Sequence, residues 1–253
     1  MKIYQLLLSV FIFALPVTVF SQSSDEKTRY YDVEVIIFKN VQVPKGKEFI
    51  LPVSLPPREK EVIDFSRASG IRNAAKKAFE LTPKNSLLMT DKAEKIIKSP
   101  YYELLVHQGW RQPGMDKDSS LAVWIRGGKV YGDEYVSIDS QLSGAQYGST
   151  NQTDAPNGKL FELEGKITIV LARYLHTYAD LIYRRPRLML DQTLSQSLDN
   201  PELLAELENS PDTRILDNYH LLEQRRMRSK SLHYLDHPEF SMLVYITPSL
   251  EPE

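Results

Sequence analysis

Apolar and polar positions alternate along several windows of the chain and recur at helical spacing in fewer. Residues 30–38 read YYDVEVIIF, with Tyr31, Val33, Val35 and Ile37 on one face and Ile36 and Phe38 turning the second face apolar. This pattern predicts a central strand that is buried on both sides by its end. Four prolines between Pro44 and Pro57 exclude regular structure there. Residues 67–81 carry Ile71, Ala74, Ala75, Ala78 and Phe79 at helical spacing. A second short helix is predicted to start at Thr90 as N-cap, with Asp91 in its first turn. It would bury Ala93, Ile96 and Ile97 and stop before Pro100.

Residues 101–112 (YYELLVHQGWRQ) predict a strand closed by Pro113-Gly114, and residues 121–132 predict a hairpin turning at Gly127-Gly128. The Gly-, Ser- and Asn-rich stretch 143–158 reads as a loop. In 160–184, Phe161, Leu163, Ile167, Ile169 and Leu171 fall on odd numbers, while Glu162, Glu164, Lys166 and Thr168 fall on even ones. That spacing predicts a half-buried antiparallel strand with its charges facing water. It either runs on or folds back through Tyr174, His176, Tyr178 and Asp180. Asn200-Pro201-Glu202 predicts a short exposed helix reaching about Asn209. The last unit is predicted to pair 219–230 with 240–247 across the turn Asp236-His237-Pro238. With helices grouped early and strands adjacent, the expected class is α+β, mainly antiparallel sheet with about three helices. Residues 22–253 form one domain in this reading, with 185–215 a candidate peripheral insertion.

Composition narrows the function classes. The chain has 253 residues, 42% hydrophobic and 25% charged, the balance of a protein that buries a core. A formal charge of −2 supplies no global field for nucleic acid, so anion recognition has to be local. Residues 3–20 are apolar behind the single cation Lys2 and are interrupted by Pro16, the pattern of a secretory signal peptide with cleavage expected after Ser21. The alternative is an uncleaved anchor, but Pro16 and the short stretch argue against a stable membrane anchor. Cysteine is absent, which excludes disulfides, thiolate metal sites and a lipidated N-terminal cysteine. The expected compartment is the periplasm.

Candidate chemistry is confined to short runs. His233-Tyr234-Leu235-Asp236-His237 would share a helix face like the ligands of an inverted zinc-protease motif. Here Asp236 replaces the required glutamate, Pro238 follows, and the flanks read as strands, so a turn caging its own histidines is favoured and no metal is assigned. Arg226 and Arg228 project from one side of a strand, with Arg225 on the other. Such a run is either a solvated edge or an anion clamp. Trp110-Arg111-Gln112 ends a strand, where the indole is either core or a flat rim surface for sugar rings. Tyr174 and His176 should point to the polar side. GxSxG, SxxK, HExxH and Gly-rich phosphate loops are all missing, so neither an enzyme nor a cofactor is expected.

Four runs together carry a family likeness: Tyr31 to Phe38; His107 to Pro113; Gly165 with Arg173-Tyr174-Leu175-His176; and Arg225-Arg226-Met227-Arg228 with Leu232 to Pro238. In this order, over about residues 30–248, the chain resembles the CsiV family of periplasmic proteins described as peptidoglycan-binding. Departures lie in the loops at 44–60, 143–158 and 190–215. The resemblance implies a non-catalytic factor in cell-wall assembly. Its partners would be peptidoglycan and the peptidoglycan synthases with their outer-membrane lipoprotein activators; nucleic acid is not expected for an exported chain of net negative charge. It brings no assigned binding site. The residues chosen for their chemistry are Trp110, Arg111, Gln112, Tyr174, His176, Arg226, Arg228, His233, Tyr234, Asp236 and His237. Two other classes stay open at this point: an adaptor that contacts wall-synthesis proteins only, and a metal-dependent hydrolase centred on His233, Asp236 and His237.

Overall fold

A computed structural model describes residues 28–42, 62–66, 78–132, 135–137, 160–188 and 214–250. Strand formation dominates. The strands are β1 (Tyr30–Asn40), β2 (Val62–Ile63), β3 (Glu80–Leu81), β4 (Tyr102–Pro113), β5 (Ala122–Tyr131), β6 (Val136–Ser137), β7 (Leu160–Leu171), β8 (Leu175–Leu188), β9 (Arg214–Met227), β10 (Leu232–Asp236) and β11 (Phe240–Ser249). Among the described residues there is one α-helix, α1 (Thr90–Lys98), and a 3-10 turn at Lys84–Ser86. The protein is therefore mostly β, which corrects the expected α+β class with about three helices. Of the helix expected over 67–81, residues 67–77 lie outside the described residues, while Glu80 and Leu81 form a strand. The helix expected near 200–209 and the N-terminal segment also lie outside them.

Two sheets pack face to face. The first has the order β10-β11-β1-β4-β3 and is antiparallel throughout, so β1 is central as its two apolar faces require. The second has the order β2-β5-β7-β8-β9-β6, antiparallel except for its two-residue edge strands. The core is built from inward positions of both: Val33, Val35 and Ile37 of β1 meet Val123, Leu163, Ile167 and Leu181 of the second sheet. On the outer face of the first sheet, Ile36 and Phe38 pack under Met89, Ala93 and Ile96 of the helix.

Local details differ from the sequence pattern in instructive ways. The stretch 122–131 is one strand, not a hairpin. Gly127-Gly128 makes a bulge against β7, with Gly128 at φ +72°, and a side chain there would collide with Glu162. The chain folds back after Leu171, so β7 and β8 form a hairpin across a turn at 172–174. β9 pairs with β8 and not with β11; the partner of β11 across the Asp236-His237-Pro238 turn is β10. β8 and β9 stay paired to Leu188 and Arg214, and the remainder of the 185–215 segment lies outside the described residues. Helix α1 starts one residue earlier than expected, with Met89 as its N-cap, and leaves Ile97 exposed.

Two of the even-numbered charges of β7, Glu162 and Glu164, are not in water, while Lys166 is half-buried. Glu162 and Glu164 are each 2% exposed. Glu164 accepts from Trp124 (3.1 Å) and pairs with Arg126 (3.2 Å) and Arg184 (3.5 Å). Arg126 also holds Asp64 (2.9 Å). Glu162 receives Lys39 from the first sheet (2.7 Å), tying the two sheets together. Burial works against the Lys39 ammonium, but hydrogen bonds and charge from Glu162 and Glu103 outweigh it and raise its pKa. At Asp64 burial favours protonation, yet hydrogen bonds from Ser66 and the charge of Arg126 prevail and lower the pKa.

Candidate functional site

Apart from Arg29, Arg187 and Arg214, the arginines of the described structure divide into two sets. Arg111, Arg126, Arg184, Arg185 and Arg225 each pair with a carboxylate, respectively Asp32, Asp64, Glu164, Glu239 and Glu223. Arg173, Arg226 and Arg228 meet no carboxylate and are exposed. They stand at one end of the second sheet: Arg173 in the β7–β8 turn, Arg226 near the end of β9, and Arg228 in the β9–β10 connection. Between them lies Tyr174, 45% exposed, with the guanidinium carbons of Arg226 and Arg173 at 4.7 and 5.6 Å from its ring centroid. A guanidinium stacked on a ring keeps its N–H groups in plane and free, the arrangement that grips a carboxylate bidentately. His176 sits directly across from Arg226 in the β8–β9 register.

The turn after β9 leads into the first sheet. His233 Nε2 accepts from the Arg228 amide (3.0 Å), and Arg225 donates to the Tyr234 carbonyl. On β10 the Tyr234 hydroxyl donates to Asp236 Oδ1 (2.7 Å), and Ser241 Oγ reaches the same oxygen (3.0 Å). His237 Nδ1 accepts from the Glu239 amide (3.2 Å), and its ring packs on Phe240 and Tyr219. His233 and His237 belong to an extended stretch, so four residues separate them by roughly 13 Å, too far to share one ion. Among the described residues no three His, Asp or Glu side chains gather as a metal site.

The sequence candidates thus fall in separate places. Tyr174, His176 and Arg226 are brought together, with Arg228 and His233 in the adjoining turn and Tyr234 and Asp236 beyond it on the other sheet. Trp110 is wholly buried and its indole N–H donates to Gln112 (2.8 Å), itself 1% exposed, so both serve the core and not a rim. Arg111 lies elsewhere, bidentate on Asp32 (2.8 and 3.2 Å), beside a cavity of about 260 Å³ also lined by Glu34, Glu80, Thr82 and Tyr245. Inside that wall Glu34 is hydrogen-bonded by the amides of Leu88 (2.7 Å) and Met89 (2.8 Å) and by His107 (2.7 Å). Sequence reasoning quoted Arg173 as part of the family likeness but did not choose it as a binding residue, because its position beside Tyr174 depends on the tight β7–β8 turn. Its only signal was adjacency to that tyrosine.

Compared with known families, residues 5–249 match the one described as "Peptidoglycan-binding protein, CsiV". No match was found among curated proteins or among solved structures. The match takes in every described strand and the turn that carries Arg173, Tyr174 and the basic end of β9. The chain belongs to the CsiV family of peptidoglycan-binding proteins.

Proposed function

We propose that the protein is a non-catalytic peptidoglycan-binding protein of the periplasm, holding the wall polymer beside the peptidoglycan synthases and their outer-membrane lipoprotein activators. The observation that carries this reading is the cluster of unpaired arginines around exposed Tyr174 in a chain of slightly negative charge. Peptidoglycan offers what such a cluster takes: stem peptides bear carboxylates for guanidinium groups, and glycan rings have apolar faces for an aromatic side chain. Export to the periplasm rests on the apolar segment 3–20 behind Lys2. No helix among the described residues is long and apolar enough to cross a membrane.

Co-sedimentation of the full chain, freed of its leader, with purified sacculi tests the reading. Wild type should sediment with the polymer, and Arg226→Ala with Arg228→Ala should sediment markedly less. Background sedimentation by a folded wild type would overturn polymer binding. Cross-linking in cells tests the proximity to synthases and activators independently.

A further inference from the structure

The outer face of the first sheet, next to the cationic end but not part of it, carries a second set of residues with a consistent chemistry. Two exposed tyrosines stand on it, Tyr234 of β10 and Tyr102 of β4, 45% and 43% exposed. The strands between them supply buried supports that link the two rings, Ser241 at 0% and Phe38 at 6% exposure. The Tyr234 hydroxyl lies 2.9 Å from Ser241 Oγ, Ser241 faces Phe38 across the β11–β1 pair, and Phe38 meets the Tyr102 ring edge-on at 5.1 Å. Asp236 closes the hydrogen-bonded triangle with Tyr234 and Ser241, using one carboxylate oxygen for both contacts.

This face has no cation of its own among those residues, so it is unsuited to carboxylates. Flat rings beside a carboxylate and hydroxyls fit a neutral polyhydroxylated ring: C–H faces cover the aromatic surface while sugar hydroxyls donate to the second Asp236 oxygen. The two surfaces are joined by the short β9–β10 connection and by Arg225, which spans from β9 to the Tyr234 carbonyl. A polymer with charged peptides on an uncharged sugar backbone would find each component met by a different sheet.

We propose that Tyr234, Asp236 and Tyr102 form a glycan subsite that takes the uncharged sugar backbone, separate from the carboxylate-binding arginines, with buried Ser241 holding Tyr234 and Asp236 in place from beneath. It rests on the peptidoglycan-binding reading, and supplies the part of the ligand that the arginines do not explain.

The probe is a β-1,4-linked N-acetylglucosamine tetramer, which has sugar rings but neither peptide nor carboxylate, titrated into the full mature chain and followed by NMR shifts and calorimetry. Wild type should bind it, and Tyr234→Ala or Tyr102→Ala should weaken binding by about tenfold or more. Arg226→Ala with Arg228→Ala should leave it unchanged. Tyr234→Phe, which keeps the ring and the packing, should retain most of the affinity and guards against misfolding as the cause. A wild type that sediments with sacculi yet ignores the tetramer overturns the subsite alone, as does tetramer binding insensitive to both tyrosines. Failure to sediment with sacculi strikes at the reading in the previous subsection instead, and the tetramer titration still decides the subsite.

Discussion

The Arg226 guanidinium lies 4.7 Å from the centre of the Tyr174 ring, a contact that joins the end of β9 to the β7–β8 turn. An exposed stack of this kind contributes about 0.5–1 kcal/mol, so its main effect is to fix the direction of the guanidinium. Tyr174→Ala should therefore weaken sacculus binding less than Arg226→Ala does, and Tyr174→Phe should behave nearly as wild type. Binding should also fall as salt is raised across the sub-molar range, because exposed charges are screened. Sedimentation at graded salt with the three variants checks both statements.

Trp110→Phe should separate fold from ligand. The substitution removes the indole N–H that Gln112 accepts and leaves a void in a fully buried site. A loss of roughly 2–4 kcal/mol in urea unfolding is expected, with sacculus binding by the folded fraction unaltered. Weakened binding without loss of stability would return Trp110 to the binding surface.

Glu164→Gln should be among the most destabilising single changes. It leaves Arg126 and Arg184 buried with less compensating charge, and breaking a buried pair costs about 3–5 kcal/mol. The urea midpoint should drop accordingly, and Glu164→Gln with Arg126→Met should recover part of the loss.

Gly165→Ala tests the β7–β8 hairpin. Gly165 has φ +153°, and an added Cβ would collide with the Asp180 carbonyl of the paired strand. The variant should lose about 2 kcal/mol or more and show rapid amide exchange across residues 163–183.

Stability should fall at both ends of the pH scale, for separate reasons. Burial, with the Glu162 charge added, raises the pKa of Tyr131 and of Tyr183, and that of Lys39 is raised too. Groups with raised folded values stabilise fully below their unfolded values, near pH 10, and that stability is lost as pH rises beyond them. Asp64 has a lowered folded value, so its contribution is present above about pH 4 and is lost on acidification through the folded value. Urea midpoints measured from pH 3 to 11 should form a plateau with both shoulders. Asp64→Asn should flatten the acid one.

What the sequence disclosed was local. The alternation of 30–38 identified β1 and its central place because a strand buried on both faces writes its burial into consecutive apolar residues. The exposure of Tyr174 followed from the parity of the same run that buried Leu175. Parity failed at Glu162 and Glu164, because their cations come from Lys39, Arg126 and Arg184, far off in sequence. Gly127-Gly128 imitates a hairpin turn, and only the partner strand distinguishes a bulge from a reversal. The pairing of β9 with β8 was equally hidden, since nothing in 219–230 names its neighbour. The basic run was visible from the start, but which of its arginines were already paired was a tertiary fact.

The three groups bound to Glu34 lie 54, 55 and 73 residues further along the chain. Helix α1 has nine residues and no side-chain cap of its own, below the length at which helices persist alone. Its first turn is ordered by a carboxylate on a strand that must already be paired with β4 to hold His107 nearby. This dependence predicts an order of assembly, sheet first and helix afterwards. A peptide spanning 82–100 should be unstructured in water, and during refolding helical signal should trail the pairing of β1 with β4. In that order the one α-helix described is a late addition, and its presence would report that the central sheet has closed.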